Sequence, residues 1–61
     1  MNANYENYLK FLNECKLKKY DNSLVLHNHH IIPRHMGGSN DKENLIKLSV
    51  EDHITAHFLL S

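Results

Sequence analysis

The spacing of apolar residues divides the chain into four elements, and the first is a helix. Residues 3–18 predict an amphipathic helix, because apolar side chains recur at helical spacing. The residues on this face are Tyr5, Tyr8, Leu9, Leu12 and Cys15. Asn2 or Asn4 is a suitable N-terminal cap. Residues 21–23, Asp-Asn-Ser, are typical of a turn after the helix.

A strand is predicted next, followed by a loop. Residues 24–32 are rich in Leu, Val and Ile, which favours a strand. We expect this strand to end near Ile31 or Ile32, because Pro33 lacks the backbone donor that a sheet requires. Residues 36–41, Met-Gly-Gly-Ser-Asn-Asp, predict a loop.

The last part of the chain predicts a second strand and a second helix. Residues 45–48, Leu-Ile-Lys-Leu, form a short apolar run that we expect to pair antiparallel with the first strand. Ser49 followed by Asp52 resembles a capping box at the start of a helix that reaches the end of the chain. On that helix we expect three residues to face the core: Ile54, Phe58 and Leu59. The predicted fold class is α+β, a small helix–β-hairpin–helix domain.

Length and cysteine content predict that this domain needs stabilisation beyond its hydrophobic core. The chain has 61 residues and one cysteine. A domain this short buries only about 60% of its unfolded surface. Cys15 has no partner for an internal disulfide, and we interpret it as a buried thiol. A bound metal ion is the expected source of this stability, since structural metal sites supply on the order of 10 kcal/mol of folding free energy.

The charge balance argues against a strongly basic nucleic-acid clamp. Seven Lys and Arg residues balance seven Asp and Glu residues. Non-specific DNA affinity grows with the number of phosphates neutralised, so we expect weak DNA binding by this chain alone. No transmembrane run and no signal peptide is recognised in the sequence, which predicts an intracellular protein without membrane attachment.

The histidines carry the clearest chemical signal. His29 and His30 are adjacent, Asn44 follows, and His53 and His57 are four positions apart. On a helix, residues at i and i+4 share a face, so the last two rings can converge on one ion. An isolated pair at this spacing is more often two unrelated helix-face histidines. The pair at 29 and 30 supplies a third ligand and a spare ring.

The two adjacent histidines are expected to divide the work between them. Neighbouring residues on a regular strand point to opposite faces, so both rings cannot aim straight at one ion. One ring on the metal and the other beside a water molecule is the arrangement that suits this geometry. Histidine fits either task, as the commonest neutral metal ligand and as a general base near neutral pH.

With these residues in place, a resemblance is evident. Residues 29–57 resemble an HNH endonuclease motif of the ββα-metal superfamily, and the three-histidine set resembles that of DNase colicins. The family pattern is a histidine pair, a glycine-rich loop, an asparagine opening the second strand, and a helix carrying the last histidine. The resemblance implies an N-terminal amphipathic helix over residues 1–20 and a ββα-metal motif over residues 21–61, within a single domain.

The resemblance also implies roles for individual residues. His29, His53 and His57 match the metal-ligand positions, and His30 matches the general base. Asn44 matches the central asparagine, which constrains the base and the loop. The resemblance also implies that the loop containing Gly37 and Gly38 is ordered and packs over the site. An ordinary flexible turn is the alternative.

One position departs from the pattern. Many relatives carry a glutamate two positions before the first histidine of the pair, where this chain has His27. His27 is interpreted as a residue that polarises a ligand ring, as an additional ligand, or as a half-exposed strand histidine. Arg34 suits a phosphate oxygen, although a solvated surface arginine fits equally well. His35 matches no family role and is assigned to the surface.

The function implied is metal-dependent hydrolysis of DNA phosphodiester bonds by an HNH-type endonuclease of a homing, mobile-element or phage system. The expected cofactor is one divalent ion: Zn, Ni, Mn or Mg. We expect the DNA to be bound weakly and with low specificity unless a homodimer or a further domain contributes. Two alternatives remain open. One is a catalytically silent, metal-stabilised nucleic-acid-binding module, and the other is the catalytic fragment of a larger nuclease.

Overall fold

The fold is a β-hairpin packed against two helices. The computed structural model describes residues 3–61, with side chains from Tyr5 onward. Its elements, in chain order, are α1 (Ala3–Leu17), β1 (Leu26–His30), β2 (Leu45–Ser49) and α2 (Val50–Leu60). The predicted α+β class and element order are confirmed. The capping side chains proposed for α1, those of Asn2 and Asn4, lie outside the described residues.

The hairpin is antiparallel, as predicted, but β1 is shorter than the predicted strand over 24–32. The register runs from Leu26 opposite Ser49 to His30 opposite Leu45. Leu24 and Val25 precede β1 and are exposed. The prediction was wrong there because apolar composition alone does not provide a pairing partner.

The prediction also placed the other end of the strand too late. Ile31 still donates its N–H to the Asn44 carbonyl, at 2.8 Å. Ile32 instead donates its N–H to the side-chain oxygen of Asn44, at 2.8 Å. A side chain has replaced the next rung of the ladder, so β1 ends at His30.

The hydrophobic core lies between α1, β2 and α2. Its buried members are Tyr8, Leu12, Cys15, Ile46, Leu48 and Ala56. Three of the predicted α1 residues are therefore core residues, including the buried free thiol of Cys15. Tyr5 and Leu9 pack against this core while partly buried. The predicted inner face of α1 is confirmed.

The predicted inner face of α2 is wrong for two of its three residues. Ile54 and Phe58 are 66% and 75% exposed, whereas Ala56 is fully buried. Each of the two lies two positions from Ala56, which places it about 200° away around the helix. Leu59 is partly buried against the core, as predicted.

The start of α2 is tied to the end of α1. The Ser49 hydroxyl accepts the N–H of Asp52 at 3.2 Å, which confirms the predicted cap. The Asp52 carboxylate accepts hydrogen bonds from Lys18 and Tyr20, each at 2.6 Å. The carboxylate thus joins the first turn of α2 to the residues that follow α1. Neither α-helix in the described part of the chain is long and apolar enough to cross a membrane.

The glycine-rich loop is held by backbone contacts. Gly37 has a φ of 93°, in the left-handed region that glycine adopts without strain. The Gly38 N–H donates to the Pro33 carbonyl at 3.0 Å. A Cβ atom at Gly38 would overlap the carbonyl of Ile32 and would lie 2.9 Å from Nδ2 of Asn44. These contacts fit an ordered loop better than a free turn.

We expect Gly38→Ala to destabilise the fold more than Gly37→Ala does. A side chain at Gly37 meets no atom within 4 Å, so its cost is the left-handed backbone, about 1–2 kcal/mol. At Gly38 the added carbon collides with backbone, and overpacking of this kind costs about 3 kcal/mol. Urea denaturation of both variants measures the difference. Equal losses would show that the close approach at Gly38 is not a constraint.

Candidate functional site

The inner face of β1 and one face of α2 bring four imidazoles together. His27 and His29 are two residues apart on β1, so they share one face of the strand. His53 and His57 lie one helical turn apart on α2. His29, His53 and His57 each offer a nitrogen, and these nitrogens lie within 4.8 Å of one another.

The donor set fits a divalent metal ion. Nε2 of His53 lies 3.1 Å from Nε2 of His57. Two nitrogens bound at 2.0–2.1 Å to a tetrahedral ion lie ~3.3 Å apart, so this separation is close to that of two ligands of one ion. Within the described residues, no fourth His, Cys, Asp or Glu joins the cluster. The set therefore provides three nitrogen ligands, one fewer than the four of a structural zinc site.

The surroundings lower the pKa of two of these rings, His29 and His53. His29 is only 3% exposed. Burial, together with the nearby His53, His57 and His30 rings, lowers the pKa of His29 from 6.5 to about 4. Burial also lowers the pKa of His53, with His57 and His27 adding to the effect. Since only the neutral imidazole binds a metal, both rings are ready to bind at neutral pH.

Two of the clustered rings use their other nitrogen for a hydrogen bond. Nδ1 of His53 lies 3.1 Å from Nδ1 of His27. Nε2 of His29 lies 2.7 Å from the hydroxyl of Tyr8, which also donates to the Ile31 carbonyl at 2.7 Å. Each of these neighbours restricts the rotation of the ring that it contacts.

His30 occupies a separate position beside the cluster. It is the last residue of β1, and its Nε2 lies 2.8 Å from Oδ1 of Asn40. An amide oxygen only accepts hydrogen bonds, so Nε2 carries the ring proton when His30 is neutral. Nδ1 then has the free lone pair. His30 and the three clustered histidines line one open cavity of about 520 Å³.

Asn44 fastens the loop that precedes it. Besides accepting the Ile32 N–H, its side chain donates to the carbonyls of Ile32 and Ser39, at 3.0 and 2.8 Å. The side chain is nearly buried, and all these partners are backbone groups. Asn44 thereby holds both the start and the middle of the loop that follows His30.

Arg34 and His35 line the same cavity as the histidines and are exposed. They lie in a short 3₁₀ turn, Arg34–Met36, held by the Met36 N–H on the Pro33 carbonyl. Arg34 is therefore on the same side of the molecule as His30. His35, assigned from the sequence to the general surface, also lies at this cavity.

Two contacts of the site were missed from the sequence. Tyr8 was predicted only as a core residue, although a buried tyrosine usually needs a partner for its hydroxyl. That need was visible in the apolar pattern, but the partner, 21 positions away, was not. Asn40 was predicted only as a loop residue. Nothing in the local sequence indicates that its side chain meets His30.

Comparison with known proteins agrees with this geometry. The family model for HNH endonuclease matches residues 13–58. Probable mobile endonuclease B of Enterobacteria phage T4 is 49% identical over 61 residues, which covers 93% of this chain and 23% of that protein. Probable mobile endonuclease E of the same phage is 64% identical over 33 residues, or 54% of this chain and 23% of that protein.

A relative from another source matches over a similar length. An uncharacterized 38.5 kDa protein in psbA intron 1 of Chlamydomonas moewusii is 47% identical over 58 residues, covering 95% of this chain and 15% of that protein. The chain thus spans less than a quarter of each of these relatives. No solved structure gives a significant match. The family match covers most of the chain and includes every histidine of the cluster, so the chain belongs to the HNH endonuclease family.

Proposed function

We propose that this chain is the catalytic domain of a metal-dependent DNA endonuclease that hydrolyses phosphodiester bonds. The observation that carries the proposal is the separation of tasks in the cavity. Three histidine nitrogens converge on one point, and a further histidine, His30, stands beside them without joining the set. An open metal position next to an organic base is the arrangement that hydrolysis needs.

The ligands in this proposal are His29, His53 and His57. A divalent ion held by them supplies Lewis-acid chemistry, neutralising negative charge that develops on the phosphate and on the leaving 3′ oxygen. All-nitrogen ligation favours Zn or Ni over Mg in affinity, while Mn and Mg remain candidates for turnover. With Nε2 of His53 on the metal, Nδ1 of that ring would carry the proton and donate it to Nδ1 of His27, 3.1 Å away.

His30 acts as the general base. Its Nδ1 takes a proton from a water molecule, and the oxygen of that water attacks the phosphorus in line with the leaving 3′ oxygen. Oδ1 of Asn40 accepts the Nε2–H of His30 and so holds the ring in place. This hydrogen bond strengthens when the ring becomes charged. Asn44 keeps the loop that carries Asn40 and Arg34 in place.

Arg34 is proposed to bind a non-bridging oxygen of the same phosphate. Its guanidinium lies at the cavity and is exposed, so a phosphate reaches it without displacing a core residue. Because the chain has no net charge, we expect few other phosphate contacts. We therefore propose that DNA binding by this chain is weak and sequence-tolerant, and that a second copy or a further domain supplies specificity.

The names of the relatives favour a nuclease of a mobile element, acting on DNA inside a cell. Within the chain, we propose that residues 21–61 hold the ββα-metal motif and that residues 1–20 support it. A silent module with a structural metal is the less favoured alternative. Structural zinc sites normally use four protein ligands, and the cluster provides three.

His30→Ala is expected to separate the base from the ligands. Cleavage of supercoiled plasmid should fall ~10²–10⁴-fold, the usual contribution of a general base, while zinc affinity stays close to that of the parent chain. His57→Ala is the comparison variant, and it should weaken zinc binding. A nicking assay with Mg²⁺, Mn²⁺, Ni²⁺ and Zn²⁺, paired with zinc titration, measures both effects.

Two results of that assay would contradict the proposal. Loss of zinc from His30→Ala would make His30 a ligand rather than the base. Absence of cleavage by the parent chain with every metal, together with measurable DNA affinity, would favour the silent module.

Metal binding should also set the stability of this small domain and its response to acid. Zinc at ~1,000 times its dissociation constant should stabilise the fold by about 4 kcal/mol. In chelator, the pKa of about 4 for folded His29 lies below the ordinary 6.5, so the unfolded chain binds more protons between these values. Stability should therefore decrease as pH falls from 6.5 towards 4.

Urea denaturation in chelator, repeated at several pH values, measures this slope. His29→Gln is the control, because it removes the titrating ring and should flatten the curve over the same range. A slope that is unchanged in His29→Gln would show that the titration of other groups causes the acid response.

A further inference from the structure

Tyr8 of α1 contacts the candidate metal centre from inside the core. The side chain is fully buried, and its hydroxyl lies 2.7 Å from Nε2 of His29. The two rings meet edge to face, with centroids 5.9 Å apart. Tyr8 lies outside the stretch matched by the family model, which begins at residue 13. The contact therefore comes from the part of α1 that precedes the matched stretch.

The hydroxyl has one proton, and its partners determine where that proton goes. The Ile31 carbonyl lies 2.7 Å from the hydroxyl oxygen, and the His30 carbonyl lies 3.5 Å from it. Carbonyl oxygens only accept hydrogen bonds, so the phenolic proton must point towards them. If the phenolic proton pointed at His29 instead, the Tyr8 hydroxyl oxygen and the Ile31 carbonyl oxygen would lie 2.7 Å apart with no proton between them. Two unsatisfied acceptors in a buried site are unfavourable.

The direction of this bond fixes the tautomer of His29. The phenolic oxygen has to accept the N–H of Nε2, so that nitrogen is the protonated one. Nδ1 of the neutral ring then carries the lone pair. We propose that Tyr8 is a positioning residue for metal binding, which holds His29 as the Nε2–H tautomer and presents Nδ1 as its ligand atom. This inference rests on the metal site of the proposed function.

The same contact links metal binding to the packing of α1. The phenol ring sits in the core with Leu12, Cys15 and the strand residue Leu48, so its hydroxyl cannot move away from His29 without disturbing that core. A partner that orients a ligand imidazole typically contributes 10–100-fold in metal affinity. Docking of α1 should thus be required for tight binding, even though no α1 side chain belongs to the three-histidine set.

The test compares Tyr8→Phe with Tyr20→Phe in the full chain. Both changes remove a phenolic hydroxyl from a hydrogen bond, but the Tyr20 hydroxyl binds the Asp52 carboxylate. Zinc titration against a competing chelator should show ~10–100-fold weaker binding for Tyr8→Phe and unchanged binding for Tyr20→Phe. Thermal melts in chelator check that each variant is folded at the temperature of the titration.

Nitrogen NMR of the imidazoles of the parent chain provides a reading that a purely structural role would not produce. His29 should be the Nε2–H tautomer without metal, and zinc should shift the resonance of its Nδ1. Tyr8→Phe should mix the two tautomers of the metal-free ring. The spectrum of the parent chain identifies the tautomer and the ligand nitrogen of His29 even if Tyr8→Phe fails to fold.

The outcomes separate this inference from the proposal on which it rests. Zinc bound by the parent chain through Nε2 of His29, or bound equally well by Tyr8→Phe, would overturn the role of Tyr8 and leave the metal site intact. No zinc binding by the parent chain would overturn the metal site, and the role of Tyr8 with it.

Discussion

The structure depends on the crowding of imidazoles between β1 and α2. The ring centroids of His29 and His53 are 5.1 Å apart, and those of His53 and His57 are 4.7 Å apart. A proton added to any of these rings would place a charge beside the others, and at His29 that charge would be buried. A divalent ion placed between the same rings is stabilised instead, because the lone pairs of the neutral imidazoles bind it.

This crowding has a cost for the core. His29 occupies an almost completely buried position that a small domain would normally fill with an apolar side chain. The apolar core is correspondingly small, and Ile54 and Phe58 lie on the outer face of α2. With Cys15 a free thiol, the described residues contain no covalent cross-link that would compensate. Site and stability are therefore coupled, because the same rings serve both.

Much of the site was predictable because its signals are local. The spacing of His53 and His57 places both rings on one helical face, and the resemblance of residues 29–57 to a known motif added His29, His30 and Asn44. The features that were missed depend on tertiary contacts. The hydroxyl of Tyr8 meets a ring 21 positions away, and the end of β1 is set by the Asn44 side chain rather than by Pro33.

The central claim is an open site with three imidazole ligands, and X-ray absorption spectroscopy of the zinc-loaded chain tests it most directly. An open three-histidine site gives three imidazole nitrogens at ~2.0–2.1 Å and one oxygen ligand from solvent. We also expect His30→Ala to leave this spectrum unchanged. A spectrum with four imidazoles would contradict the account, since it would describe a closed structural site without a position for hydrolysis.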